Sequence, residues 1–230
     1  IGRRAESRMG EREGYVIVAM VWVVFSAFGL LPYYLSGQVP TFTDAWFESM
    51  SGFTTTGATI IPDLDVITHG LLFWRSLTQW IGGMGIIVLS IAILPIFGLN
   101  GMQLYAAEVT GLTYEKLSPR ISDTAKMMWT TYVILTASEI LGLWLCGMPI
   151  FDAVCHSFST IATGGFSTKN NSLEFYDSAA IHYLVTFFMF ISGINFVILI
   201  YSVRGKARNF FRDEEFRWYA VAVILFSLLL

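Results

Sequence analysis

Two short runs of threonine and glycine hold the residues with the clearest chemical potential. One is Thr54-Thr55-Thr56-Gly57-Ala58, the other Ala162-Thr163-Gly164-Gly165-Phe166, and neither contains a charge. Glycine permits backbone angles that a Cβ resists, so a run of this kind in extended form can turn several carbonyls toward one axis. Threonine adds a hydroxyl oxygen. Rings of such oxygens replace the hydration shell of an alkali ion. A large, weakly hydrated cation such as potassium needs no dedicated carboxylate in such a ring. The candidate ligands are Thr55, Thr56, Gly57 and Ala58 in one run, and Thr163, Gly164, Gly165 and Phe166 in the other. A lone Thr-Gly run is usually a turn. Two copies in matching surroundings are a stronger signal.

The surroundings do match. Asp44–Thr59 (DAWFESMSGFTTTGAT) and Asp152–Ser167 (DAVCHSFSTIATGGFS) align at an offset of 108 residues with six of sixteen positions identical. The identities are Asp44/Asp152, Ala45/Ala153, Ser49/Ser157, Ser51/Ser159, Thr55/Thr163 and Gly57/Gly165. Before each run lies a short segment with an acid at its start, which suits a helix N-terminus. These segments are too short to span a bilayer and too apolar for exposed loops, which makes them re-entrant candidates. A half-helix entering from outside would aim its carbonyl end, with about half a negative charge, at the membrane centre. Backbone at that depth survives only where it lines water or is buried in protein.

The elements that must hold these runs are apolar stretches of membrane-spanning length. A bilayer core takes about 20 apolar residues. Four stretches qualify: Val16 to Tyr34, Leu71 to Gly98, Met127 to Met148 and Ile181 to Val203, with a fifth starting near Phe216. The composition agrees, with 55% hydrophobic and 13% charged residues and a mean hydropathy of +0.62. Tyr33, Tyr34, Trp129 and Tyr201 sit near the ends of these stretches, where aromatic rings favour the interface. Basic residues precede the first stretch (Arg3, Arg4, Arg8, Arg12), separate the second from the third (Lys116, Arg120, Lys126) and follow the fourth (Arg204, Lys206, Arg208, Arg212, Arg217). The positive-inside rule makes those segments cytoplasmic and puts the connections at 36–70 and 149–180 outside. The outer connections carry Asp44, Glu48, Asp63, Asp65, Asp152, Glu174 and Asp177, an acidic vestibule that would concentrate cations. The 108-residue offset also carries Gly85 onto Gly193, and the first stretch onto the third within a few residues. The repeated unit is span, outer connection, span, twice in the same orientation.

The predicted fold is therefore an all-α integral membrane protein with tandem span, re-entrant pore helix, filter and span repeats, like a potassium channel. The predicted organisation is a basic cytoplasmic segment at 1–14, pore unit one at 15–98, a cytoplasmic linker at 99–126 and pore unit two at 127–203. Residues 204–230 form a cytoplasmic segment and the start of a further span. Both ends read as cut. A net charge of −3 gives no reason to expect nucleic acid as a partner; membrane lipid is the expected surrounding.

Other residues carry weaker signals. Gly82, Gly83 and Gly85 suit close helix packing. Arg75, at the start of the second span, is expected to snorkel to the outer interface. Glu139, in the middle of the third, is expected to be a hydrogen-bonded or protonated acid beside Thr136 and Ser138. Asp152 and His156 fall on one helix face, next to Ser157, but no third group is evident to orient them for catalysis. His69 and His182 stand alone, and Cys146 and Cys155 lack metal spacing. An enzyme is not expected, nor a covalently bound cofactor.

Taken together, SGFTTTGAT at 51–59, RSLTQWIGGMGIIVL at 75–89 and HSFSTIATGGFST at 156–168 resemble the first and second pore units of the Trk/Ktr/HKT potassium transporters, nearest to the bacterial TrkH branch. GMQLYAAE at 101–108 and PRISDTAK at 119–126 resemble the linker of that branch. The resemblance implies four units around one pore with one filter glycine each, here Gly57 and Gly165. It implies potassium uptake across the bacterial plasma membrane by a multi-pass, homodimeric subunit regulated by a cytosolic nucleotide-binding ring. This chain holds two units, half of that pore, and lacks the family's gating loop of the third unit. A carrier or channel for another monovalent cation, sodium or ammonium, and a non-conducting assembly subunit are the alternatives. Symport against channel-like conduction is left open.

Overall fold

The computed structural model describes residues 11–93, 121–201 and 213–229, and every regular element among them is helical. The linker motifs at 101–108 and 119–120, and most of the basic residues used for orientation, lie outside the described residues.

The first unit consists of α1 (Glu11–Gly29), α2 (Leu31–Leu35), α3 (Phe42–Phe53) and α4 (His69–Ile93). In the second, α5 (Ile121–Leu145) and α6 (Ile150–Ile161) are followed by a 3₁₀ turn at Ser172–Phe175, then α7 (Ala179–Ser192) and α8 (Phe196–Tyr201). The chain continues into α9 (Glu214–Leu229). Among the described residues one helix, Lys126–Leu145, is both long and apolar enough to cross a membrane, and Ala19–Leu35 and Ala179–Ser192 are shorter apolar helices.

The two short helices show the repeat most clearly. α3 and α6 are each 12 residues long and start and stop at equivalent positions. Each is entered from extended backbone, at Thr41 (ψ 137°) and Pro149 (ψ 138°), and each has an acid in its first turn, Asp44 or Asp152. Twelve residues rise about 18 Å, well short of a bilayer core.

Two predicted stretches are interrupted. The first divides at Leu30, where Pro32 sits in the opening turn of α2, a position that tolerates its missing N–H. The fourth is a correction to the sequence expectation: instead of one helix it is α7 and α8, broken at Gly193–Asn195. The Phe190 carbonyl near the break accepts a hydrogen bond from the Tyr219 hydroxyl of α9 at 3.1 Å. The Tyr219 and Phe190 rings stack with centroids 5.2 Å apart.

Each unit has its own apolar core near the connection between its long helices. Tyr33, Ala45, Leu64, Leu71 and Leu72 pack in the first, and Leu143, Met148, Ala153, Ile181 and Val185 in the second. α4 joins the units. Its Trp80 indole donates to Thr136 Oγ1 at 3.1 Å, and the Tyr132 hydroxyl donates back to the Trp80 carbonyl at 3.0 Å. On its other side α4 comes so near α3 that a Cβ on Gly82 would lie 2.0 Å from the Phe53 carbonyl oxygen. Backbone cannot yield as a flexible side chain does. Gly82→Ser is therefore expected to lower stability by about 3 kcal/mol. The check is the melting temperature and membrane level of the variant; wild-type values for both would mean the contact is not a packing constraint.

Candidate functional site

Both Thr/Gly runs leave their short helices with the same backbone signature. In the first, Thr54 has φ −79°, Thr55 has φ 53° and Gly57 has φ 74°. In the second, Ala162 has φ −76°, Thr163 has φ 54° and Gly165 has φ 83°. Thr56 and Gly164 are not in the positive region, so the sign of φ alternates along each run. Such alternation gathers successive N–H groups on one side of a run. The N–H groups point back at the helix. Thr55 N donates to Gly52 O and Thr56 N to Ser51 O, both at 3.0 Å. The equivalents, Thr163 N to Thr160 O at 3.0 Å and Gly164 N to Ser159 O at 2.8 Å, repeat the pattern. Among the described residues Thr55, Thr163 and Ser172 are the non-glycine residues with positive φ, a conformation that is costly without cause; the two threonines are held by these paired bonds.

The runs meet. A Cβ built on Gly57 would lie 2.0 Å from the Gly164 carbonyl oxygen, so only glycine fits. Not all eight candidates present themselves equally. The Ala58 carbonyl accepts the Ser51 hydroxyl at 2.5 Å. Phe166 donates its N–H to Gln79 Oε1 at 3.1 Å and lays its ring under the Arg75 guanidinium, 4.2 Å from carbon to centroid. The shared geometry is densest at Thr55–Gly57 and Thr163–Gly165.

Arg75 does not snorkel, contrary to the sequence expectation. It is 1% exposed and paired with Glu48 through Nε at 2.8 Å, and Glu48 itself is fully buried. A charge taken out of water demands a partner, and α3, packed beside α4, supplies one inside rather than at the interface. Nη1 of Arg75 donates to the Ser167 carbonyl at 3.2 Å and Nη2 to Thr59 Oγ1 at 3.1 Å. Glu48 also accepts from the Thr59 hydroxyl at 2.9 Å and from the Ile60 N–H at 3.2 Å. The predicted acidic vestibule is correspondingly smaller. Glu48 is removed from it, and Asp152 is buried and accepts the Thr168 hydroxyl at 2.7 Å. Asp63 and Asp65 both accept from Asn170 Nδ2, at 2.8 and 3.2 Å, tying the 36–70 and 149–180 connections together. That amide and the Asp65 N–H hold the Asp63 carboxyl below its usual range.

Glu139 is fully buried, yet neither Thr136 nor Ser138 bonds to it. Thr136 donates to the Tyr132 carbonyl and Ser138 to Ile134 and Leu135. Its two oxygens make no hydrogen bond of ordinary geometry; the Thr160 side chain of α6 is the polar group facing them. His156 is buried edge-on to Tyr176 with Nε2 unbonded, and Ser157 Oγ is likewise unbonded. Both cysteines are free, and no group of three or more His, Cys, Asp or Glu able to hold a metal occurs among the described residues.

The family model for TrkH, described as a cation transport protein, matches residues 3–229. The chain belongs to the TrkH family. It is 49% identical over 220 residues to the Trk system potassium uptake protein TrkH of Salmonella typhimurium, covering 94% of this chain and 46% of that protein. The TrkH of Escherichia coli K12 is 47% identical over 220 residues, with the same coverage. The crystal structure of the potassium transporter TrkH from Vibrio parahaemolyticus superposes with a TM-score of 0.81 at 39% identity, covering 99% of this chain and 46% of that one. The chain thus spans about half the length of the TrkH relatives it matches.

Proposed function

We propose that this chain supplies two of four pore units of a bacterial membrane protein that takes up potassium. The observation that carries this reading is the alternation of φ in both runs. Alternation of this kind suits a run that offers carbonyls to an ion, and the close approach of Gly57 to Gly164 supports a path shared by both runs. Carbonyl and threonine oxygens from four such runs would replace the water around potassium. The relatives named as potassium uptake proteins support potassium as the ion. In this reading α1, α4, α5 and the α7–α8 pair span the bilayer, and α3 and α6 enter it from outside. The family resemblance adds a homodimer and a cytosolic nucleotide-binding ring as partners.

The test is flux in liposomes. A full-length protein carrying this segment should move potassium in preference to sodium and ammonium. The 230-residue chain alone, with half the wall of the pore, should show no selective flux, because its groove would expose polar backbone to lipid. Equal sodium or ammonium flux through the full-length protein would replace potassium with another monovalent cation. Selective flux through the chain alone would overturn the half-pore.

A further inference from the structure

We infer that Arg75 and Gln79, one turn apart on α4 of the first unit, are positioning residues for ion discrimination that hold the Thr/Gly run of the second unit. The inference rests on the ion-path reading above and adds residues that touch no ion.

Gln79 is fully buried. Its Oε1 accepts from the Phe166 N–H at 3.1 Å and from the Ser159 hydroxyl at 2.7 Å, linking the second run to the helix that precedes it. Its amide carbon occupies the space where a side chain on Gly164 would go, 2.4 Å from the built Cβ. Its Nε2 lies 3.8 Å from the equivalent point on Gly57, so the amide sits between the two runs. Arg75 takes the next positions. Its guanidinium covers the Phe166 ring and donates to the Ser167 carbonyl, while Nε and Nη2 stay on Glu48 and Thr59 of the first unit. One helix face therefore fixes the second run at Gly164, Phe166 and Ser167. With the Phe166 N–H drawn to the protein side, the alternating backbone can turn its carbonyls the other way. Discrimination between cations depends on where those oxygens sit, so a relaxed support changes it without contact.

The arrangement belongs to the seam between units and not to the repeat. At the 108-residue offset, Arg75 and Gln79 become Tyr183 and Phe187, which carry neither a guanidinium fork nor an amide. Glu48 becomes His156. A simple repeat of a structural scaffold would have kept these side chains in both units, as it kept Thr55/Thr163 and Gly57/Gly165.

The experiment uses the full-length protein in liposomes, with potassium and sodium fluxes measured at matched protein levels. Gln79→Met removes the acceptor for Phe166 and Ser159. Arg75→Lys keeps the charge opposite Glu48 and loses the fork that reaches Ser167 and Thr59. Each should lower the potassium-to-sodium flux ratio about tenfold, the scale set by one buried hydrogen-bonding group, a donor for Gln79→Met and an acceptor for Arg75→Lys, left without its partner. A structural role alone would reduce the amount of folded protein and leave the ratio of the remainder unchanged; that result in both variants overturns the inference. Gly57→Ala is the reference. If it loses the ratio while Gln79→Met and Arg75→Lys keep it, the ion path stands and the positioning role falls. If Gly57→Ala keeps the ratio too, the ion-path reading itself fails.

Discussion

Replacing Gly57 by alanine is expected to abolish most discrimination between potassium and sodium, whereas the same change at Gly165 should weaken it only a few-fold. The two glycines look interchangeable by position, since both have positive φ at equivalent places in the repeat. An L-residue in that region costs about 1–2 kcal/mol, and this applies to both. The surroundings differ. A Cβ at Gly165 meets nothing within 4 Å, but at Gly57 it would lie 2.0 Å from the Gly164 carbonyl oxygen. To make room, one run has to move away from the other, and the atom displaced is a proposed ligand. If that displacement costs a further 1.4 kcal/mol or so in the potassium-bound state, the ratio falls about another tenfold. The measurement is uptake of both cations by full-length variants at matched membrane levels. Equal effects at the two glycines would mean that the contact between runs has no bearing on the ion.

That difference between the glycines was not legible in the sequence, and the reason is physical. The repeat, the helix lengths and the Thr/Gly runs are local patterns. Asp44 and Asp152 mark helix starts, and the spacing to Gly57 and Gly165 places both glycines just past a helix end. The structure starts these helices at Phe42 and Ile150, two residues before each acid, and ends them at Phe53 and Ile161. What packs against each run is non-local. Gln79 follows Arg75, Ser76 and Thr78 and does not stand out from them until it is placed 87 residues from Phe166 in sequence and 3.1 Å from it in space. Arg75 had a sensible reading as an interfacial cation because nothing nearby in sequence could neutralise it; Glu48 reaches it only through the packing of α3 on α4. A usable signal did exist. Glu48 falls on the same helical face as Ser51 and Ser49 lies beside it, an unusual polar density for a helix predicted to enter a membrane. The break at Gly193 escaped for a different reason: hydropathy counts apolar residues and is blind to whether their backbone hydrogen bonds are continuous.

The buried pair sets the other large expectation. Glu48→Gln and Arg75→Met should each destabilise the protein by about 3–5 kcal/mol, because each leaves the opposite charge buried and alone. Glu48→Gln strands the guanidinium beside Ser167 and Thr59. Arg75→Met strands the carboxylate, still hydrogen-bonded to the Thr59 hydroxyl and the Ile60 N–H but with no positive charge near it. The double variant removes both charges and the reason for most of the loss. Its stability should therefore lie well above the sum of the single effects, with a coupling of at least about 2 kcal/mol for groups in direct contact. It should not return fully to wild type, since Arg75 also donates to the Ser167 carbonyl and Thr59 hydroxyl, and methionine replaces neither bond. Thermal unfolding of the detergent-purified protein gives the four values of the cycle. Additive losses would show that Glu48 and Arg75 act independently, each held by its own neighbours. A double variant as stable as wild type would show that the bond to Ser167 across the seam and the bond to Thr59 within the first unit contribute nothing to folding, leaving the orientation of the Thr/Gly runs as the property for which they remain to be tested.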